Sequence, residues 1–275
     1  MPTNKLSLNI FLSCLEAKGF QVKFYYDRVK LYVSSGNKTI NLDKICVNKD
    51  QQIIIPRALL HYDDIGQMID VHQPRSAYFG RLKNALTHEY VINYVEFAMD
   101  ILGSQNQVAK LSELLIERIV FERRSRNRFY YNQHENTHYF GQRFKHSDIL
   151  VLYSDRESKV ASGRQCVHIE MRLYGSKILK KFDIYAIQDL IDFSHDKIWN
   201  KYLDLRDVNY TKLGGLVTEE KATLTDSSYR RHGQSYFDNF VGSQHLLMED
   251  PNFVKAFPPI INRRMFESRL DNALQ

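Results

Sequence analysis

The feature that most constrains the fold is a pair of segments, residues 94–101 and 166–174, in which apolar and polar side chains alternate strictly. Alternation with a period of two predicts β-strands that have one face on a core and one face free. The free faces would carry a dense set of charged and phenolic side chains: Tyr94, Glu96, Asp100, His168, Glu170, Arg172 and Tyr174. If the two strands are neighbours, this face is a candidate catalytic floor.

The order of predicted elements indicates an α+β fold, an antiparallel sheet with helices on one face. Helices are expected at residues 5–18, 57–71, 75–88, 104–123, 182–203 and 262–274, and further strands at 21–33, 38–47, 52–55 and 148–155. Gly19 would end the first helix, Pro56 the short third strand, and Ser104 would cap a helix.

Three regions follow from this order of elements. We expect a mixed α/β lobe at residues 1–88, a core at 89–207 and a C-terminal helical region at 208–275. The last helix is expected either to pack on the core or to contact DNA.

Composition narrows the class of protein. In the 275 residues, no apolar run approaches the roughly 20 residues that span a membrane, and the N-terminus lacks a signal-peptide pattern. Three cysteines at unrelated spacings do not make a disulfide framework or a structural zinc site. We therefore expect a cytoplasmic protein with no membrane partner.

The distribution of positive charge says more than the net charge of +6. A short basic segment is followed directly by three aromatic residues: Arg123, Arg124, Arg126 and Arg128, then Phe129, Tyr130 and Tyr131. Arginines beside aromatic rings suit phosphate contact and base stacking in a nucleic acid. The same cations could also lie at the solvated C-terminus of a helix.

The polar face of the two strands has the ligand types of a hard divalent cation. Carboxylates at positions 96, 100 and 170 with the imidazole of His168 suit Mg²⁺ or Mn²⁺. Such an ion can polarise a phosphoryl oxygen, Arg172 could bind the phosphate, and Tyr174, Tyr153 or Tyr185 could act as a nucleophile. The plainer interpretation is a sheet face that meets solvent, with Glu96 and Arg172 as a cross-strand ion pair.

Several short motifs around these strands occur in a characteristic order. After the strand YVEFAMDI come Tyr139-Phe140-Gly141-Gln142-Arg143, Ser147-Asp148, Leu152-Tyr153-Ser154-Asp155 and the strand segment HIEMRL that begins at His168. In this order they resemble the core of rolling-circle replication initiators of the plasmid and filamentous-phage type, over roughly residues 90–205.

This resemblance implies a DNA replication initiation protein, a site-specific single-strand endonuclease that depends on Mg²⁺ or Mn²⁺. A tyrosine would join the 5′ phosphate at the replication origin and free a 3′ hydroxyl, with DNA and the host replication machinery as partners. By position, Asp100 and Glu170 match the acidic residues of the family and Arg172 its arginine. His168 lies two residues before Glu170, like one member of a His-hydrophobic-His pair, and Arg143 joins the basic segment as a DNA contact.

The resemblance leaves more than one candidate for the nucleophile. Some members carry the tyrosine just before the acidic residue of the last strand, where this chain has Ile169. Others carry it on the following helix, where Tyr185 is the first candidate and Tyr202 the second. Among all the tyrosines, Tyr185 ranks first and Tyr174, at the end of the strand, ranks next. The absence of tyrosine at position 169 favours an alternative, a non-catalytic DNA-binding regulator with the same fold.

Overall fold

A computed structural model describes residues 5–33, 54–57, 67–74, 76–85, 90–120, 131–134, 136–140, 148–207, 209, 211–212 and 257–275. These residues are organised around an eight-stranded antiparallel sheet. Its strands are β1 (Gln21–Val33), β2 (Ile54–Arg57), β3 (Gln67–His72), β4 (Tyr90–Leu102), β6 (Tyr131–His134), β7 (Thr137–Phe140), β8 (Ile149–Tyr153) and β9 (Cys166–Tyr174). Their order across the sheet is β2-β3-β1-β4-β9-β8-β7-β6. The short strands β5 (Ile119–Val120) and β10 (Asp204–Leu205) pair separately.

Helices cover one face of the sheet, so the predicted α+β class is confirmed. They are α1 (Leu8–Ala17), α2 (Ser76–Ala85), α3 (Gln105–Arg118), α4 (Ser176–Leu179), α5 (Ile187–Ile191), α6 (Asp196–Tyr202) and α7 (Arg263–Leu274). Trp199 of α6 and Phe97 of β4 are fully buried in the core between helices and sheet. Phe11 of α1 packs on Phe266 of α7, with ring centroids 5.2 Å apart. None of the described helices is long and apolar enough to cross a membrane.

Strands β4 and β9, both predicted as strands from their alternation, are direct neighbours. Asp100 lies opposite His168, Ala98 opposite Glu170, and Glu96 opposite Arg172. Because side chains alternate between faces, this register gathers the charged residues of both strands on the face that the helices do not cover.

Strand β1 contains an irregularity that affects this polar face. Its register with β4 shifts between Tyr26 and Arg28, so Asp27 is an extra residue with no partner opposite it. Before the shift Tyr26 faces the core, and after it Val29 faces the core. A β-bulge of this kind re-aims side chains locally, and here both Asp27 and Arg28 project from the polar face.

Two predictions in the N-terminal part of the chain were wrong. Residues 67–71, expected in a helix, belong to β3. Ile69 and Val71, two residues apart, are both buried, which is the spacing of a strand, and β3 pairs with β1. Pro56 does not end its strand but lies within β2, which is tolerated because β2 is an edge strand. The predicted strand at 38–47 lies outside the described residues.

The predicted long helix over residues 182–203 was also wrong. A 3₁₀ turn over Lys180–Phe182 ends at Asp183, whose φ of 62° is left-handed, and α5 and α6 follow as separate helices. The carboxylate of Asp189 accepts hydrogen bonds from the backbone N–H groups of Tyr185 and Ala186, both at 2.8 Å, and so starts a new helix. The apolar period was correct, but polar groups that bond to the backbone interrupt the helix.

The ends of the described chain join the same structure. Strands β1, β2 and β3 extend the sheet that contains β4 and β9. Helix α7 buries Phe266 and Leu270, and Arg269 pairs with Asp207 at 2.7 Å. Packing on the core is therefore the observed role of the last helix.

Candidate metal centre and active site

His168 is the centre of a buried polar cluster on the uncovered face of the sheet. Its Nδ1 lies 2.6 Å from Oδ1 of Asp100, and its Nε2 lies 3.1 Å from Oε2 of Glu170. All three side chains are almost completely buried. The three residues predicted from the two strands are therefore in direct contact.

The bond to Asp100 holds the ring of His168 in one orientation. Asp100 also accepts hydrogen bonds from the Ser158 hydroxyl at 2.6 Å and from the Tyr25 hydroxyl at 3.1 Å. A carboxylate at one ring nitrogen favours the proton there and leaves the other nitrogen for a ligand. This geometry makes Asp100 a positioning group for His168, whereas the sequence had suggested a direct metal ligand.

Asp27 completes a set of donors that could hold a metal ion. Ligand atoms of Asp27, His168 and Glu170 all lie within 4.8 Å of one another, and all three residues are buried. Two carboxylates and one imidazole fit Mg²⁺ or Mn²⁺ by the chemistry of the donor set. The sequence analysis missed Asp27, although the apolar spacing in β1, with core positions at 24 and 26 and then at 29 and 31, already signals a bulge there.

Two side chains already occupy the carboxylate of Asp27. Lys159 donates to Oδ2 in a salt bridge, and Gln73 donates to Oδ1 at 3.2 Å. Lys159 comes from the connection between β8 and β9 and is also hydrogen-bonded to Tyr153. The cluster thus includes a cation from the chain itself.

A second pair of carboxylates shares Arg172. Its Nε donates to Oε1 of Glu170 and lies 3.5 Å from Oε1 of Glu96, which also accepts from the hydroxyl of Tyr94. Burial and the nearby charge of Glu170 raise the pKa of Glu96 to about 7. Burial would also raise the pKa of Glu170, but the hydrogen bond from His168 and the charge of Arg172 outweigh it and hold that pKa well below its ordinary value. Glu170 is therefore ionised and could act as a metal ligand.

The same partners set the charge of His168. Burial would lower its pKa, but the hydrogen bonds that the ring donates to Asp100 and Glu170 outweigh burial and raise the pKa to about 8. A metal ion that bound this ring would therefore have to compete with a proton at neutral pH.

The structure distinguishes the candidate tyrosines Tyr153, Tyr174 and Tyr185 by their position. Tyr153 of β8 lies opposite His168, and the two rings stack with centroids 4.4 Å apart and an angle of 28°. Tyr174 shares the polar face but packs on Tyr94, four residues along β9 from Glu170. Tyr185 is 57% exposed and lies between Ile184 and Ile187, which pack in the core on the helix side. Only Tyr153 of these three contacts the cluster.

The predicted DNA contacts belong to segments outside the described residues. Arg123, Arg124, Arg126, Arg128 and Arg143 lie outside the described residues. Their role stays a prediction from sequence.

Comparison with known proteins adds a remote likeness. No protein-family model matches the sequence, and neither does any curated protein. Among solved structures, the chain is similar to a rolling circle replication initiator protein from Geobacillus stearothermophilus, with a TM-score of 0.36 and 14% identity over 84% of this chain and 99% of that chain. A likeness at this distance assigns neither a family nor an activity.

Proposed function

We propose that this chain is a DNA replication initiation protein, a nickase that uses Mg²⁺ or Mn²⁺ held by Asp27, His168 and Glu170. The observation that carries the proposal is the convergence of these three ligand groups beside the stacked ring of Tyr153. Tyr153 replaces Tyr185 and Tyr174 as the proposed nucleophile because it is the candidate that touches the cluster.

Each neighbouring residue has a separate role in the proposal. Asp100 orients the ring of His168, and the hydrogen bond from His168 together with the charge of Arg172 keeps Glu170 ionised. Glu170 is thus ready for a cation, and His168 would become a ligand when the ion displaces its proton. A bound divalent ion would polarise the phosphoryl oxygen of the scissile phosphate. Burial raises the pKa of the Tyr153 hydroxyl, and the ammonium group of Lys159 beside it partly offsets this by favouring the phenolate.

The proposed reaction is a transesterification. The phenolic oxygen of Tyr153 forms a bond to phosphorus while the bond between phosphorus and the 3′ oxygen breaks. The phenol loses one proton and the 3′ oxygen takes one up, so no net proton is released. The products are a tyrosyl 5′ phosphodiester and a free 3′ hydroxyl, which suits extension by a polymerase.

The test is formation of a covalent adduct on supercoiled DNA that carries the sequence around the protein's own gene. We expect Mn²⁺-dependent nicking and a protein–DNA adduct with the wild type, loss of both in Tyr153→Phe, and retention of both in the control Tyr185→Phe. An adduct that persists in Tyr153→Phe would contradict the assignment of the nucleophile. Absence of any nicking by the wild type would contradict the proposed activity.

One observation favours a second candidate, the non-catalytic DNA-binding regulator. The carboxylates of the cluster are buried and already paired with Lys159 and Arg172, as they would be in a purely structural network. This candidate predicts salt-sensitive DNA binding that persists in Asp27→Asn, without nicking. In either case the proposed partner is origin DNA, with the host replication machinery as a further partner, in the cytoplasm.

A further inference from the structure

The connection between β8 and β9 is anchored onto the polar cluster by two consecutive residues. The hydroxyl of Ser158 donates to Asp100 at 2.6 Å and accepts from the N–H groups of Val160 and Ala161, at 3.2 and 3.0 Å. This tight turn places the next side chain, Lys159, against Asp27. The anchor therefore delivers a positive charge to one of the three proposed metal ligands.

The ammonium of Lys159 fulfils the electrostatic function that a metal ion would otherwise fulfil at this carboxylate. Asp27 is buried in a site that also contains Glu170, and an unpaired buried carboxylate there would be costly. A divalent ion within bonding distance of Asp27 would repel an ammonium held at the same group. The two cations cannot be fully bound to Asp27 together without a large electrostatic cost.

Lys159 is partly exposed and has a second partner, so a metal ion could replace its ammonium at Asp27. Its side chain is 34% exposed, so water can solvate the ammonium when it leaves Asp27. It is also hydrogen-bonded to Tyr153, whose ring stacks on His168. Release from Asp27 would leave the ammonium beside the phenolic oxygen.

We propose that Lys159 is an internal counter-ion that occupies Asp27 in the metal-free protein, competes with the divalent ion for that ligand, and on release stays as the ammonium partner of the Tyr153 hydroxyl. The inference rests on the proposed function for the second role of Lys159. The first role, competition for Asp27, depends on the metal site alone.

The test is the affinity for Mn²⁺ alone, measured by isothermal titration calorimetry at pH 8 on the full chain. Lys159→Met removes the competing charge and is expected to bind Mn²⁺ at least about tenfold more tightly than the wild type. Lys159→Arg keeps the charge and should stay within about threefold of the wild type. Lys177→Met removes an exposed lysine from α4 on the helix side and serves as the control for net charge, with no change expected.

The metal-free proteins give a second, independent readout. Lys159→Met should have a lower thermal unfolding temperature than the wild type without metal, and the difference should shrink when Mn²⁺ is added, because the ion then neutralises Asp27. If Lys159→Met does not fold, Lys159→Gln carries the same expectations, since its amide can still donate to Asp27 without a charge.

The outcomes separate this inference from the proposed nickase activity. Tighter Mn²⁺ binding by Lys159→Met without nicking by the wild type would support the counter-ion role and refute the nickase. Unchanged or weaker Mn²⁺ binding by both neutral variants would overturn the counter-ion role even if the wild type nicks DNA. If nicking by Lys159→Met equals that of the wild type at saturating Mn²⁺, the second role at Tyr153 is wrong.

Discussion

The affinity of the proposed site for Mn²⁺ should depend steeply on pH, because the metal must displace a proton from His168. The pKa of this imidazole is about 8, and only the neutral ring binds a metal. The apparent dissociation constant then scales with 1 + 10^(pKa − pH). Between pH 6 and pH 8 this factor falls from about 100 to about 2, so the affinity should rise roughly fiftyfold.

Asp100→Asn is the perturbation that tests the cause of this dependence. The variant removes the carboxylate at Nδ1 that raises the pKa of His168, so the pKa should fall to its ordinary value of 6.5 or below. The rise in Mn²⁺ affinity between pH 6 and pH 8 should then shrink to about fourfold or less. The intrinsic affinity at high pH should also weaken by roughly 10–100-fold, as expected when an orienting carboxylate is lost.

Calorimetric titration with Mn²⁺ at pH 6, 7 and 8 measures the pH dependence of the affinity in the wild type and in Asp100→Asn. Glu96 titrates in the same range, with a pKa of about 7, so both proteins are also measured with Glu96→Gln. Repetition in buffers of different ionisation enthalpy counts the protons released, which should be close to one per ion at pH 7. A wild-type affinity that is independent of pH would refute the assignment of His168 as a ligand, and equal slopes in wild type and Asp100→Asn would refute the role of Asp100.

Three further predictions concern stability and chemistry. Burial lowers the pKa of His195 to about 4, so between this value and the unfolded pKa of about 6.5 only the unfolded state gains the proton. The free energy of unfolding, measured with urea, should therefore fall by about 2 kcal/mol from pH 8 to pH 5 in the wild type and not in His195→Phe. Equal pH profiles for the two proteins would contradict this prediction. The hydroxyl of Ser104 caps α3 by accepting from the N–H of Gln107, so Ser104→Ala should destabilise the protein by about 1 kcal/mol in the same assay, and no change would refute the cap. Tyr153→Phe should bind Mn²⁺ with wild-type affinity while it forms no adduct, so that loss of Mn²⁺ binding would indicate a structural role for this tyrosine.

Much of the sheet could be predicted because its faces differ in chemistry. Strict alternation at 94–101 and 166–174 identified β4 and β9 as strands, with Glu96, Asp100, His168 and Glu170 on their polar faces, and the pairing of the two strands brings these residues onto one face of the sheet. The capped helix α3 was recognisable from Ser104. These features depend on local periodicity and local hydrogen bonds, which a sequence displays directly.

What the sequence did not predict depends on contacts between distant segments. Residue 27 is opposite no partner because of a register shift, and its approach to His168 is set by the pairing of β1 with β4. Lys159 reaches Asp27 only because the turn at Ser158 is anchored to Asp100. Tyr153 was one of several candidate tyrosines in the sequence, and its position opposite His168 required the register of β8 with β9.

Mapping of a tyrosyl–DNA peptide tests the central claim most directly. The full chain is incubated with Mn²⁺ and supercoiled DNA carrying the sequence around its own gene, then digested and analysed by mass spectrometry. The account predicts one adducted peptide that contains Tyr153, linked to a 5′ phosphate, and no adduct without the metal ion. Binding of the DNA with no adduct, or an adduct on Tyr174 or Tyr185, would contradict it.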